Sequence, residues 1–262
     1  MKQKIYQIDA FTDHVFGGNP AAVCILENWL DSNVMQKIAQ ENNLAETAFA
    51  VKNADGYELR WFTPEIEVDL CGHATLATAY VLFNNYNISA NAIKFHSPRS
   101  GELIVERGAD GLLTLDFPAD DTVSIRGILE IDNAIGLTPI KTIKGKTDYL
   151  LIYNSQEEIE AITPNLHLLN QLDCRGVIVS APGKEVDFVS RFFAPQCGIP
   201  EDPVTGSAHT TLTPYWAGVL DKTKMTAKQL SERGGDLICE FLGERVKISG
   251  KAMPYLKGEI EL

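Results

Sequence analysis

The sequence predicts an α/β (α+β) chain of two pseudo-symmetric halves, each a mostly antiparallel, barrel-like sheet around one central helix. Three observations lead there. The first is a repeat at half the chain length. S-P-R-S-G-E-L-I-V-E at 97–106 recurs as S-E-R-G-G-D-L-I-C-E at 231–240, an offset of 134, and the same offset carries Gly72 onto Gly206 and Ala74 onto Ala208. W-F-T-P at 61–64 returns as F-F-A-P at 192–195, at an offset of 131, so a short insertion falls between the two landmarks. The second is a stretch without Asp, Glu, Lys or Arg after Gly72 and another over 204–220; each is apolar nearly all round, as a buried helix requires. The third is a series of short runs with strand-like alternation, joined mostly by links too short for parallel crossovers.

The elements follow in order. Strands are expected near 3–11, 21–27, 46–52, 57–62, 93–97, 102–107 and 112–117. A helix fits 31–42, capped by Asp31 or Ser32, and the first buried helix should run from Gly72 to about Tyr86. In the second half, strands are expected near 140–144, 148–153, 175–181, 186–193, 235–241 and 244–250. A peripheral helix fits 124–135, and one or two more fit 156–172. The second buried helix starts near Gly206, where Pro214 predicts a kink or an early end. The halves divide near Phe117–Asp121, as 1–118 and 119–262, with the tail 253–262 packing back on the first. The cleft between them is the expected site.

Composition narrows the function. The chain has 262 residues and a net charge of −12, its 23 basic residues scattered among 35 acids. A nucleic acid or an anionic membrane calls for a basic face, so neither is an expected partner. The start lacks the apolar run and cleavage site of a secretory signal, and no segment reaches the ~20 apolar residues that cross a bilayer. The five cysteines are widely spaced with no C-x-x-C pair, the pattern of free thiols in a reducing cytosol. The chain has no dinucleotide or phosphate-loop fingerprint, no close histidine pair for a metal and no G-x-S-x-G elbow. Acid/base chemistry without a cofactor or a metal remains.

Two loop-to-helix junctions can carry such chemistry, C-G-H-A-T at 71–75 and D-P-V-T-G-S-A at 202–208. A helix start offers unpaired N–H groups, and glycine there lets an anion reach the backbone. Gly72 and Gly206 either clamp a carboxylate between two helix starts, without any arginine, or only permit tight turns. Glu46 is the candidate acid/base, since a carboxylate at the border of a buried strand tends to hold its proton. At the 131 offset its counterpart is Val177, leaving the carboxylate in one half only; the bland alternative is a strand-end or capping acid. His73 can donate to a substrate or shuttle a proton, or be a backbone-bonded core histidine. Asp202 faces the site or shapes a turn. Ser207, the positional match of His73, can donate to a carboxylate or bond local backbone. Asn19, in F-G-G-N-P, is first a turn residue and can also bind substrate at the rim.

D-A-F-T-x-x-x-F-G-G-N-P-A-A-V at 9–23, A-E-T-A-F at 45–49, the stretch from F-T-P through C-G-H-A-T at 62–75, and D-P-V-T-G-S-A at 202–208 together resemble the PhzF family of phenazine-biosynthesis-like isomerases. The resemblance spans nearly the whole chain. It implies a diaminopimelate-epimerase-like fold, a homodimer, no cofactor, and a small carboxylate-bearing, cyclic or amino-acid-like substrate. Glu46 matches the family's catalytic glutamate, His73, Asp202 and Ser207 match polar residues of its site, and Gly72 and Gly206 match its carboxylate-binding glycines. Epimerases of this fold use two cysteines. Here Cys71 takes the first position, but the second-half loop reads Pro203-Val204-Thr205. Position 45 is Ala, where related sequences often carry Ser. Two further readings stand beside the isomerase: a one-base or Cys71-assisted amino-acid epimerase or racemase, and a non-catalytic metabolite-binding module.

Overall fold

The computed structural model describes residues 2–86 and 88–262, which divide into two compact units, Met1–Asp116 with Ser249–Leu262, and Phe117–Ile248. The first unit opens with β1 (Lys2–Ala10) and β2 (Asn19–Leu26), an antiparallel pair. Helix α1 (Ser32–Asn42) then carries the chain to β3 (Glu46–Lys52), which lies parallel to β2. Asp31 caps this helix by accepting from Asn33 N–H at 2.8 Å, and Asn43 closes it in the left-handed region at φ 48°.

Strand β4 (Tyr57–Phe62) runs antiparallel to β3, and the two-residue β5 (Glu67–Val68) pairs with its end. Helix α2 (Gly72–Asn85) makes the second crossover, to β6 (Ala92–Ser97), which lies parallel to the start of β4. The antiparallel β7 (Gly101–Arg107) and β8 (Leu113–Pro118) follow.

The second unit repeats this plan. β9 (Val123–Ile125), α3 (Leu129–Ile135), β10 (Lys141–Lys144) and β11 (Asp148–Ile152) come first. Helices α4 (Gln156–Ala161) and α5 (Leu166–Leu169) then cross to β12 (Gly176–Pro182), parallel to β11. β13 (Phe188–Phe193) returns antiparallel, and α6 (Gly206–Leu220) crosses to β14 (Lys224–Gln229), parallel to β13. β15 (Gly235–Phe241) and β16 (Arg245–Gly250) end the repeat. The last strand, β17 (Ala252–Glu261), belongs to the first unit and pairs along the whole of β1.

Each unit is therefore a mixed sheet, mainly antiparallel, with one nearly wholly buried helix against it. Helix α2 packs on β1, β2, β3 and β7, and ten of its residues are buried. Period-two alternation decides which side chains it meets. Phe49 and Val51 of β3 face the opposite way, into a cluster with Met35, Ile38 and Ala39 of α1. That leaves Glu46, Ala48 and Ala50 on the other face, where the small alanines leave room for α2. In the second unit Val177, Val179 and Ala181 of β12 pack with Ile131, Ile135 and Ile159 of α3 and α4. Ser180 faces the other way and accepts from Trp216 Nε1–H of α6 at 2.9 Å.

Four expectations change. Ala21 pairs with Glu46 and Asp148 with Gly176, while Phe62 pairs with Thr47 and Phe193 with Val177. Glu46 therefore answers to Gly176, not Val177, because the loop between β12 and β13 is one residue longer than that between β3 and β4; Val177 has the wrong parity to face the central helix. Helix α6 does not end at Pro214 but runs to Leu220. The carbonyl that the proline leaves without a helical donor, Thr210 O, accepts from Asp120 N–H at 3.2 Å instead. The stretch 124–135 splits into strand and helix at Gly127. Strands β5, β14 and β17 were not foreseen; β5 has two residues, β14 buries only Met225, Ala227 and Gln229, and β17 is exposed along most of its length.

Candidate active site

Glu46, Cys71, His73 and Asn19 come together in the first unit. Glu46 opens β3 beside Ala21 of β2, and Asn19 lies two residues before Ala21, on the same face. The strand can start there because Gly17 and Gly18 bring the chain in tightly. Gly18 has φ +64°, and a Cβ on it would lie 2.1 Å from Ala10 O. Asn19 is fully buried, at 0% exposure, which corrects the expectation of a rim residue. Two glycines and the pairing of β1 with β2 draw it inside, where Nδ2 lies 3.2 Å from His73 Nδ1.

His73 is the second residue of α2, and Cys71 is the N-cap, with extended backbone at φ −143°. The loop leading to them is fixed by ion pairs. Arg60 holds Glu67 with two bonds of 2.7 and 2.8 Å, and Arg99 reaches Asp69 at 2.9 Å. The imidazole is thus presented edge-on between two partners. Glu46 Oε2 lies 3.2 Å from Nε2, and Cys71 Sγ lies 3.5 Å from Nδ1. The Glu46 contact is close but poorly aligned for a hydrogen bond, so neither atom is saturated by the other.

Burial works against the His73 cation, yet the Cys71 sulfur and the Glu46 carboxylate outweigh it and hold the imidazole well above its ordinary range. Burial and the Glu46 charge push the Cys71 thiol up to about 11. Cys71 is therefore a neutral thiol near pH 7. Asn19 serves both states of the ring. Its Nδ2 donates to a bare Nδ1, and half a turn of the amide offers Oδ1 to a protonated one.

The donor atoms of Glu46, Cys71 and His73 lie within 4.8 Å of one another. Glu46 and Cys71 nevertheless address opposite nitrogens of one ring. An ion bound at one nitrogen is turned away from the partner of the other, so this orientation suits proton handling better than a metal cage.

Asp202, Gly206 and Ser207 come together in the second unit, at the start of α6. Asp202 Oδ2 accepts from Thr205 Oγ1 at 2.5 Å, and Gln229, at 0% exposure, accepts from Thr205 N–H and donates to Asp202 O. This loop is built as a rigid turn, and Asp202 both shapes it and is buried in it. Thr205 spends its hydroxyl on Asp202 rather than on capping the helix, so the first N–H groups of α6 have no acceptor within the helix. The two helix starts match in detail: Thr75 Oγ1 donates to Cys71 O at 2.6 Å, and His209 Nδ1–H, 134 residues on, donates to Thr205 O at 2.8 Å.

The residue missed from sequence is Arg175. Its Nη1–H donates to Ser207 Oγ at 2.9 Å, so the second helix start does have an arginine beside it. No sequence signal marked it, because only the strand pairing shows that the next residue, Gly176, is the counterpart of Glu46.

A mixed sheet wrapped on a buried helix, built twice, with a buried Glu–His pair at one helix start, defines an epimerase-like isomerase architecture. The chain belongs to the phenazine biosynthesis-like protein family, whose model matches residues 8–258. An uncharacterized isomerase of Pseudomonas aeruginosa is 49% identical, each chain covered in full. The human phenazine biosynthesis-like domain-containing protein is 41% identical over 99% of both chains. Among solved structures, a PhzF-family phenazine biosynthesis protein of Enterococcus faecalis superposes with a TM-score of 0.97 at 48% identity, with full coverage of both. A hydroxyproline epimerase of Agrobacterium vitis shares the fold alone, with a TM-score of 0.62 at 8% identity over 99% of this chain and 92% of that one. Among the described residues, no helix is long and apolar enough to cross a membrane.

Proposed function

We propose that this protein is a cofactor-independent isomerase that moves a proton on a small carboxylate-bearing substrate, with Glu46 as the acid/base. One observation carries the reading: the Glu46 carboxylate lies 3.2 Å from His73 Nε2, with side-chain exposures of 11% and 6%. A carboxylate this dry, beside an imidazole that does not saturate its oxygen, is available to a substrate proton. As a carboxylate, Glu46 takes a proton from a carbon made acidic by a neighbouring unsaturated or carboxyl group. The electron pair moves to the adjacent position, and the same carboxylic acid returns the proton there. His73, held by Asn19 and Cys71, supports the charge on Glu46 before the transfer. The start of α2 at Gly72 supplies N–H groups for an anionic group of the substrate. In the second unit Gly206 and Ser207 offer the same kind of donors, and Asp202 keeps that loop rigid.

The Cys71-assisted alternative fares worse. A thiol with a pKa of about 11 is ionised to roughly one part in ten thousand at pH 7. The test is a conversion assay followed by proton NMR on a panel of small cyclic and amino-acid-like carboxylic acids. Conversion that survives Cys71→Ala and disappears in Glu46→Gln supports the reading. The opposite pattern, lost in Cys71→Ala and kept in Glu46→Gln, overturns it in favour of the thiol.

A further inference from the structure

We propose that Arg175 is a positioning residue that fixes the Ser207 hydroxyl as a donor, and thereby makes the start of α6 select a carboxylate over a neutral amide. This rests on the reading of Gly206 and Ser207 as carboxylate-binding. Arg175 is itself held with little freedom. Its N–H donates to Thr147 O at 2.9 Å, its Nε–H donates to Asp148 Oδ1 at 2.8 Å, and its Nη2–H donates to Asp148 Oδ2. Asp148, at 2% exposure, opens β11 and is paired in register with Gly176. The guanidinium also lies 5.3 Å from the centre of the Phe192 ring. A two-pronged pair on a buried carboxylate, with a stacked face, leaves one edge of the guanidinium aimed at Ser207.

The effect on Ser207 is directional. A hydroxyl has one proton and two acceptor positions. With Arg175 Nη1–H on its oxygen at 2.9 Å, the proton of Ser207 points away from the arginine. The usual sink for a helical serine is the carbonyl four residues back. Ser207 is the second residue of α6, so the residue four back, Pro203, precedes the helix, and its carbonyl accepts from Ser231 Oγ at 2.7 Å instead of lying on the helix ladder. The hydroxyl is therefore turned out as a donor, next to first-turn N–H groups that are donors too. A carboxylate brings only acceptors and suits this set. A primary amide brings an NH2 that meets no acceptor there.

Charge is not the device. Asp148 is paired directly with Arg175, and Asp202 is close enough to act on its charge. What survives this neutralisation is one aimed N–H. Gly176 protects the arrangement, since a Cβ at that position would meet the Phe192 ring at 2.4 Å and Phe193 O at 2.9 Å.

The probes are 4-fluorobenzoate and 4-fluorobenzamide, titrated by fluorine NMR into wild type, Arg175→Gln, Arg175→Lys, Ser207→Ala and the Arg175→Gln/Ser207→Ala pair, each checked for fold by circular dichroism. Wild type is expected to prefer the benzoate. Each single variant should weaken benzoate about tenfold while leaving benzamide unchanged, and the double variant should be no weaker than the worse single. Added guanidinium ion should restore benzoate binding to Arg175→Gln, which a purely structural role would not allow. If Arg175→Gln does not fold, Arg175→Lys keeps a cation on Asp148 and loses only the aimed edge, and should show the same loss. An Arg175 variant that folds and binds benzoate like wild type, beside a weakened Ser207→Ala, overturns the positioning role and leaves the carboxylate reading standing. Wild type that binds both probes equally or neither, or Ser207→Ala that binds like wild type, overturns both.

Discussion

His209 should make the second unit sensitive to acid, by an amount that the structure sets. The imidazole is wholly buried in α6, its Nδ1–H donates to Thr205 O, and its ring centre lies 6.0 Å from that of Phe188. Burial pushes its pKa down from 6.5 to about 4, the Thr205 carbonyl offsetting only part of this. Between those two values the unfolded chain binds a proton that the folded chain refuses, so stability falls as the pH falls. It is fully present above the unfolded value of 6.5 and is lost on descending to the folded value of about 4. At about 1.4 kcal/mol per pH unit, the loss is about 2 kcal/mol by pH 5 and about 3 kcal/mol by pH 4.

Carboxylates titrate in the same range, so the contribution must be read as a difference between two proteins. The repeat supplies the control. Thr75 occupies the matching place in α2 and makes the matching bond to the N-cap carbonyl. His209→Thr should keep that bond, remove the titration and leave a small void worth about 1–2 kcal/mol at pH 7. Urea denaturation followed by tryptophan fluorescence at pH 7, 6, 5 and 4 should show the variant less stable at neutral pH, level near pH 5 and more stable below. A gap between the two proteins that stays constant across this range would show that His209 takes up its proton alike in the folded and unfolded chains.

Three further outcomes rest on the same packing and hydrogen bonds. In an NMR titration His73 should stay protonated to higher pH than His209, and Glu46→Gln should move it down. The stability that His73 contributes is present below its unfolded value and lost as the pH rises through its raised folded value. Ser180→Ala leaves the buried Trp216 N–H and Val189 O without their shared partner and should cost about 2–3 kcal/mol in urea denaturation. Gly176→Ala drives a Cβ to 2.9 Å from the Phe193 carbonyl, which is backbone and cannot swing away, and should cost about 1–3 kcal/mol in the same assay.

The parts of this fold that were legible in the sequence are those whose cause is local. The charge-free stretches after Gly72 and Gly206 mark α2 and α6 because a helix buried all round admits no ionised side chain. Alternation marks β3 and β12, since one face of each meets a central helix and the other a peripheral one. What escaped depends on pairing. The counterpart of Glu46 was misplaced by one residue because the insertion lies at a point that only strand register reveals, and one residue turns a side chain to the other face. Asn19 reads as a loop residue until the antiparallel pairing of β1 with β2 closes over it. Arg175 gave no local signal, since its partners, Asp148 and Ser207, lie 27 and 32 residues away along the chain. The early end at Pro214 failed for the same reason: the donor that rescues Thr210 O comes from Asp120.

Solvent isotope shows whether Glu46 takes and returns the proton. Wild type and Glu46→Gln would be incubated in D2O with the same panel of cyclic carboxylic acids and followed by proton NMR. Glutamine keeps the shape of the side chain beside His73 and cannot accept a proton. Wild type should shift the position of a carbon-bound hydrogen, or exchange it for deuterium, on at least one substrate, and Glu46→Gln should bind that substrate without changing it. Exchange or isomerisation by Glu46→Gln at the wild-type rate would contradict that role for Glu46.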